Sequence, residues 1–252
     1  MTRTLATHRA LATNRVAAQH RLQLRDMGTS LKFVGVNFVT NQYVLMNYAV
    51  AYPLVDYSVE LWFKRGNLGN YLDNALYTEE NKGTTTPLFR LSIGINGQLT
   101  VAIRTDANNL VQNSLSTIRV IDKNWHQLVW TDTNGTANLY IDGVADGTNW
   151  NYTRGVTTLN RAALGVQANG LTSRPWNGGI DNFLIYNRVL TPSEVIDAYV
   201  SGIRYANNNV LWWKFDEGSG TTATDSSGNG NNGTIVGATY STDVPLKLRT
   251  VI

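Results

Sequence analysis

The chain has 252 residues, no cysteine and a formal net charge of +3. The lack of cysteine excludes disulfides, thiolate metal sites and cysteine nucleophiles. Hydrophobic residues make up 42% of the chain, which is enough for a core and excludes disorder of the whole chain. No apolar run approaches the roughly 20 residues that span a bilayer. Met1–Arg9 lacks the apolar segment of a secretory signal, so we expect neither a membrane span nor such a signal.

The positive charge is concentrated at the N-terminus. Within residues 1–30, Asp26 is the one acidic residue, and the basic residues are Arg3, Arg9, Arg15, Arg21 and Arg25. The 16 basic and 17 acidic residues elsewhere nearly cancel. We therefore expect no nucleic-acid-binding surface on the body of the protein, and any such contact would involve the N-terminal segment.

Residues 1–28 form a basic arm in which arginine recurs at every sixth position from Arg3 to Arg21. Its Ala, Leu and Gln residues favour a helix, but six residues would leave successive arginines about 120° out of phase around a helix. An extended strand would place them on one face. Both conformations stay open. We predict that the five arginines anchor the arm to a protein partner, and the simpler interpretation is a solvated tail.

From residue 31 onward, short apolar segments alternate with turns rich in Gly, Asn and Asp. Asp142 and Gly143 form a hairpin-turn signal, because both positions tolerate a positive φ. Many short strands at regular spacing predict an all-β antiparallel sandwich. The predicted strands are 31–34, 43–46, 57–63, 88–93, 99–103, 125–131, 137–141, 162–166, 180–186 and 210–215.

One helix is predicted near residue 192. Thr191 is the expected N-cap, Pro192 suits the first helical position, and Glu194 completes a capping box. Gly202 is the expected end of the helix. The predicted apolar face consists of Val195, Ile196, Tyr199 and Val200.

Four blocks carry longer patterns. Residues 31–35 read LKFVG, residues 125–143 contain WH and LYIDG, residues 176–194 read WNGGIDNFLIYNRVLTPSE, and residues 211–234 begin LWWKFDEGSG and end DSSGNGNNGT. These blocks resemble the motifs of the laminin-G-like jelly-roll family, which is related to concanavalin-A-like lectins and pentraxins. The resemblance implies a two-sheet antiparallel jelly-roll sandwich of the concanavalin A-like kind.

The order of the blocks differs from the family's usual order, in which the W-x-F-D-E-G-S-G segment precedes the L-x-F-D-G strand. We divide the chain into the arm 1–28, a laminin-G-like sandwich 29–206 and a C-terminal segment 207–252. The segment either completes the same sandwich in a circularly permuted order, which we favour, or adds to a neighbouring subunit. In both cases it covers an unpaired strand edge.

The resemblance also raises the question of calcium, which many members of the family bind. Asp225, Ser227 and Asn229 have the spacing of an EF-hand loop, but Val236 stands where that loop requires glutamate. A structural Ca²⁺ site remains open, with Asp225 and Asp181 as candidate ligands. The alternative, which we favour, is that both carboxylates bond to nearby backbone amides. We expect no other cofactor.

Catalytic patterns are missing from the sequence. A glycosidase of this fold needs two carboxyl groups about 5 Å apart on one strand face, and no E-x-D-x-E pattern occurs. Asp216 and Glu217 are adjacent and would point to opposite faces. Glu79 and Glu80 follow as a pair in a Thr/Asn/Gly-rich stretch that we interpret as solvated. We therefore predict that the protein is not an enzyme.

Exposed aromatic residues on loops would serve sugar or partner binding. The best candidates are Trp150 and Tyr152 in the loop 147–155, and Trp176 is a third. Tryptophans in predicted strands are more often part of the core. These are Trp62, Trp125, Trp212 and Trp213.

Together these features favour a non-enzymatic structural and binding module. By analogy with the lectin-like proteins of bacteriophage virions, we expect a homo-oligomeric capsid decoration, fibre or tail protein that is anchored through its arm to an assembly partner. The sandwich would face outward, toward host glycans. The alternatives are a soluble, extracellular carbohydrate-binding lectin and, as a more distant one, a glycoside hydrolase.

Overall fold

A computed structural model describes residues 21–25, 28–34, 42–67, 73–205, 208–245 and 247–251, with only the backbone described for the first and last of these ranges. One helix within them is α1 (Pro192–Ser201). The strands are β1 (Arg21–Arg25), β2 (Ser30–Val34), β3 (Tyr43–Met46), β4 (Asp56–Arg65), β5 (Asp73–Glu80), β6 (Leu88–Gly94), β7 (Gln98–Arg104), β8 (Leu110–Arg119), β9 (Trp125–Thr133), β10 (Thr136–Ile141), β11 (Val144–Ala145), β12 (Arg161–Leu164), β13 (Asn177–Tyr186), β14 (Asn209–Trp213), β15 (Thr222–Ala223), β16 (Gly233–Val236), β17 (Thr239–Ser241) and β18 (Lys247–Val251).

Two large antiparallel sheets form the body. The front sheet has the order β11-β10-β9-β4-β13-β2-β17, with β14 also paired to β13. The back sheet has the order β15-β16-β3-β12-β5-β6-β7-β8. This architecture confirms the predicted two-sheet antiparallel sandwich. No helix in the described part of the chain combines the length and apolar character that crossing a bilayer requires.

The core lies between the two sheets and follows from alternation along each strand. In β4, for example, Tyr57, Leu61 and Phe63 are fully buried in the main cluster of apolar side chains. The residues between them point to the outward face of the front sheet. That face therefore carries Ser58, Glu60, Trp62 and Lys64, which is an unusually polar set for a sheet surface.

The C-terminal segment pairs with strands of its own chain. β14 pairs with β13, β16 with β3 and β17 with β2, all antiparallel. Because β4 lies along the other edge of β13, β2 and β14 share one edge of that strand, end to end. Trp213 of β14 lies in the core, 1% exposed. The segment thus adds strands to both sheets of this chain.

The arm is described only at its base. Arg21 and Arg25 lie in β1, which pairs with β18 in a separate two-stranded ribbon. Arg3, Arg9 and Arg15 lie outside the described residues. Anchoring through these arginines stays a prediction.

Helix α1 begins and ends as predicted. The Thr191 side chain accepts from the backbone of Glu194, Glu194 bonds back to Thr191, and Gly202 ends the helix at φ 66°. The buried face differs from the predicted one, because Ala198 is buried beside Val195. Two residues of the predicted apolar face are instead about half exposed, namely Ile196 and Val200.

The helix covers one half of the outward face of the front sheet. Tyr199 stacks on Trp62 at a centroid distance of 5.8 Å. Beneath this cover, the buried Glu60 carboxylate accepts hydrogen bonds from Gln127 and Tyr186. This half of the face is therefore closed to ligands, and its polar groups stabilise the seat of the helix.

Glu79 and Glu80 are not solvated, and that interpretation of the sequence is wrong. Both lie in β5 and are fully buried. The Glu79 carboxylate accepts hydrogen bonds from the three backbone amides of residues 50–52 and from the Tyr77 hydroxyl. Burial nevertheless raises the pKa of Glu79, so these four hydrogen bonds offset only part of the cost of removing the carboxylate from water.

Glu80 provides a test of this burial. Desolvation raises its pKa from 4.5 to about 8, although a backbone hydrogen bond from Asn169 opposes the shift. Ionisation then disfavours the folded state, so the free energy of unfolding should fall as pH rises from 4.5 toward 8. In the unchanged protein the free energy of unfolding should fall by roughly 1 kcal/mol per pH unit in this window. We expect Glu80→Gln to abolish this dependence, which urea denaturation at several pH values measures. An identical pH dependence in both proteins would contradict the assignment.

Candidate functional site

Trp150 and Trp176 are buried, so the prediction that they form an exposed binding platform is wrong. Trp150 is 2% exposed and packs edge-on against Trp130 at a centroid distance of 5.8 Å. Trp176 is fully buried and meets Phe63 at 6.1 Å. The physical reason is the large apolar area of the indole ring. Burial of this area stabilises the folded state, whereas an exposed ring on a loop would contribute no such stabilisation.

Tyr152 is half-buried, and its hydroxyl is already engaged. It donates to the buried carboxylate of Asp132, which also accepts from Tyr57. The Arg154 guanidinium lies over the Tyr52 ring, 4.2 Å from its centroid. These contacts fix the loop 147–155 to the end of the sandwich, and they leave Tyr152 few groups with which to bind a ligand.

Asp225 behaves as a turn cap. Its Oδ1 accepts from the backbone amides of Trp212 and Ser227, both at 2.9 Å, and its Oδ2 accepts from the Asn231 amide at 2.9 Å. Partial burial raises the pKa of Asp225, but these hydrogen bonds outweigh it and hold the pKa below its usual value. Donors that point at both oxygens occupy the positions that a cation would need.

Asp181 is fully buried, and its Oδ1 accepts from the backbone amide of Asn182. Desolvation raises its pKa well above the ordinary value. The described ranges contain no group of three or more His, Asp or Glu side chains placed to hold a metal. Calcium binding stays a prediction, and the contacts of Asp225 favour the backbone-bonding alternative.

A cleft of about 310 Å³ opens on the other half of the outward face of the front sheet, which the helix leaves uncovered. We call it the Trp125 cleft. Its walls are formed by the adjoining parts of β2, β4, β13 and β17 and by the start of β9. The side chains that give it its chemical character are Lys32, Lys64, Arg65, Lys123, Trp125 and Asp243.

Four of its residues form one row across the sheet. Lys32 pairs with Gly179, Gly179 pairs with Lys64, and Lys64 pairs with Trp125. Directly paired residues lie on the same face, about 5 Å apart from strand to strand. Their chain neighbours Leu31, Phe63 and Ile180 lie in the core. The row therefore points outward, and the pairing register alone brings two lysines and an indole together.

The Trp125 ring lies against Gly179. A Cβ atom at Gly179 would stand 2.4 Å from Cη2 of the indole, which no real contact allows. Gly178 is required for a different reason, since a Cβ there would overlap the carbonyl oxygen of Lys64 and its φ is +143°. The two glycines of the WNGGID block thus have separate tasks: Gly178 permits the strand pairing, and Gly179 makes room for the ring.

Asp243, from the C-terminal segment, fixes the ring and its neighbour. Its carboxylate accepts from Trp125 Nε1 at 3.0 Å and from Lys64 Nζ at 2.8 Å. Partial burial raises the pKa of Asp243, but the hydrogen bonds from Lys64 and Trp125 outweigh it, so the pKa lies below its usual value. The carboxylate is ionised at neutral pH and is already paired.

The rim that carries Lys123 is held by His126 and Arg65. His126 Nδ1 lies 2.6 Å from Asp142 and Nε2 lies 2.9 Å from Asp122. Burial lowers the pKa of His126, but the two carboxylates outweigh this and raise it. Arg65 donates to the carbonyl oxygens of residues 95 and 120. The geometry of the rim is thus set by its own contacts before any ligand arrives.

Among the described residues that line the cleft, Asp243 is the one carboxylate. The sequence reasoning missed Trp125, which it assigned to the core. The signal was present: the exposed residues Lys123 and Asn124 precede it, so the tryptophan begins its strand at the rim, where it is only half-buried.

The burial of Trp150 gives a direct test of the corrected assignment. We expect Trp150→Ala to lower the free energy of unfolding by about 3 to 5 kcal/mol, because it empties a large core volume. Ligand affinity of the folded protein should not change, since the ring does not reach the cleft. Urea denaturation and binding measurements check the two halves. A variant with unchanged stability but lost binding would restore the original prediction.

Comparisons with known proteins agree with this architecture. Residues 38–196 match the family model of the concanavalin A-like lectin/glucanases superfamily. A candidate carbohydrate-binding protein from Bacteroides ovatus superposes with a TM-score of 0.62 at 17% identity. The match covers 88% of this chain and 62% of that one, so this chain spans less than two thirds of that protein.

A heptameric SAP-like pentraxin from Limulus polyphemus superposes with a TM-score of 0.55 at 12% identity, over 90% of this chain and 97% of the pentraxin. At such identities the likeness shows the fold. No protein of curated function matches the sequence. The family match covers well over half of the chain and confirms the resemblance seen in the sequence. The chain belongs to the concanavalin A-like lectin/glucanases superfamily.

Proposed function

We propose that this protein is a non-catalytic carbohydrate-binding module that takes its ligand in the Trp125 cleft. One observation carries the proposal: a half-buried indole is fixed on Gly179 by the Asp243 carboxylate, beside lysine donors, at the mouth of an open cleft. The C–H face of a sugar ring packs on such an aromatic surface while its hydroxyls bond to the polar groups around it. Preformed sites of this composition are typical of small-ligand binding.

The fold supports the proposal without deciding it. The lectin-like sandwich of this chain is the architecture of the Bacteroides ovatus protein described as a candidate carbohydrate binder. The same superfamily includes glucanases by its description. The single, already paired carboxylate among the described lining residues is the reason that we favour binding over hydrolysis. Incubation with oligosaccharides should release no reducing sugar, and any turnover would contradict this part of the proposal.

The role of the ring is tested by Trp125→Ala. We expect oligosaccharide affinity to fall about ten-fold or more, since a buried aromatic anchor contributes most of the contact energy in such sites. Trp212→Ala is a matched control, because Trp212 is also half-buried on the front sheet but contacts Asn182 and Lys214 instead of the cleft. Calorimetric titration of both variants checks the prediction. Equal affinities in the two variants would place the ligand elsewhere.

For the arm we propose attachment to an assembly, in the setting of a virion or outside the cell. The proposal is supported by the sequence: the repeated arginines concentrate the excess positive charge in residues 1–28, next to a nearly neutral body. A homo-oligomer with outward-facing sandwiches is the form that we expect.

Deletion of residues 1–20 tests this role while keeping β1 in place. We expect the full chain to form an oligomer, the deletion variant to contain fewer protomers by light scattering, and both to bind oligosaccharide equally. The reason is that the arm and the Trp125 cleft are separate parts of the chain. An equal number of protomers in the two proteins would contradict a role of the arm in self-association.

A further inference from the structure

Basic residues outnumber acidic ones in the lining of the Trp125 cleft, although they do not in the chain outside residues 1–30. Outside residues 1–30 the chain has 16 basic and 17 acidic residues. Four of these basic residues line this one cleft, against a single carboxylate, Asp243. The basic set consists of Lys32, Lys64, Arg65 and Lys123. Such a concentration of one sign in a concave site raises the local concentration of ligands of the other sign.

The four cations are not equally available. Lys64 is paired with Asp243 at 2.8 Å, and Arg65 directs its guanidinium toward backbone carbonyls of the rim. Lys32 and Lys123 are exposed and form no ion pair with any residue that the structure describes. Lys32 is nonetheless close enough for its charge to help lower the pKa of Asp243. The ammonium groups of Lys32 and Lys123 thus have no ion-pair partner among the described residues of the cleft.

A neutral sugar would use this site poorly. Its hydroxyls can accept from lysine, but covering two ammonium groups without a counter-charge removes them from water with incomplete compensation. A ligand with its own negative group would supply the missing partner and gain charge-assisted hydrogen bonds. Gly179 adds no side chain to the row of paired residues, and the Trp125 ring occupies the space above it.

We infer that the Trp125 cleft selects an acidic oligosaccharide, whose carboxylate or sulfate groups lie near Lys32 and Lys123 while one of its rings packs on Trp125. The inference rests on the proposed function and names its ligand class: an anionic oligosaccharide. A nucleic acid is less suitable, because the cleft offers one indole for stacking and the chain outside residues 1–30 has nearly equal numbers of basic and acidic residues.

The first experiment compares short probes on the full chain by calorimetric titration. The probes are a galacturonate trisaccharide, a sulfated disaccharide, neutral trisaccharides, inorganic phosphate and a short single-stranded oligonucleotide. We expect tighter binding of one of the two acidic sugars than of the neutral ones, and weaker binding as salt rises. Lys32→Gln and Lys123→Gln should each weaken that binding roughly three- to ten-fold. Lys82→Gln, an exposed lysine on the back sheet side, should change nothing.

The second experiment separates the ring from the charges. Gly179→Ala places a methyl group against the indole and should displace Trp125, and the backbone of Gly179 lies outside the left-handed region. Gly147→Ala is the matched control, since its added Cβ would lie 3.7 Å from Thr117 Oγ1. We expect Gly179→Ala to weaken the binding of acidic and neutral sugars alike. The two lysine variants should weaken the binding of acidic sugars only. Circular dichroism confirms that each variant is folded.

The outcomes distinguish the two proposals. If neutral sugars bind as tightly as acidic ones and the lysine variants have no effect, the inference fails and the carbohydrate-binding module stands. If no sugar binds, both fail. If acidic probes bind equally well to the unchanged protein and to the Lys32, Lys123 and Gly179 variants, the interaction is assigned to the basic arm and the inference is overturned. Tighter binding of phosphate or the oligonucleotide than of any sugar would overturn it as well.

Discussion

Strand β13 is the constraint on which both the sandwich and its cleft depend. It pairs with β4 along one edge and with β2 and then β14 along the other. Strands from the N-terminal and the C-terminal parts of the chain therefore pair with the same strand. Its inward residues fill the core, and its outward Gly179 carries the Trp125 ring. A shift of β13 by one residue would reverse both faces, because side chains alternate along a strand.

The C-terminal segment serves structure and site together. β14, β16 and β17 complete the two sheets of the chain, and the chain then passes Asp243 over the cleft, where its carboxylate holds Trp125 and Lys64. The geometry of the cleft is therefore tied to correct closure of the sandwich.

The outward face of the front sheet has one half that helix α1 covers and one half that is open. Helix α1 and Tyr199 close one half over Trp62 and Glu60, whose polar groups bond inside the protein. The other half stays open and keeps lysines at its edge. Since the alternation of β4 gives Glu60, Trp62 and Lys64 the same direction, only the position of the helix separates the covered half of the face from the open half.

The sequence by itself determined what depends on neighbours along the chain. Alternating apolar residues located most strands, Asp142-Gly143 gave the hairpin turn, and Thr191 with Glu194 gave the helix start, because each signal acts within a few residues. Only the tertiary structure decided which tryptophans are exposed. Trp150 is buried and Trp125 lines the cleft because exposure depends on strand register, on Gly179 across the sheet and on Asp243 at the far end of the chain.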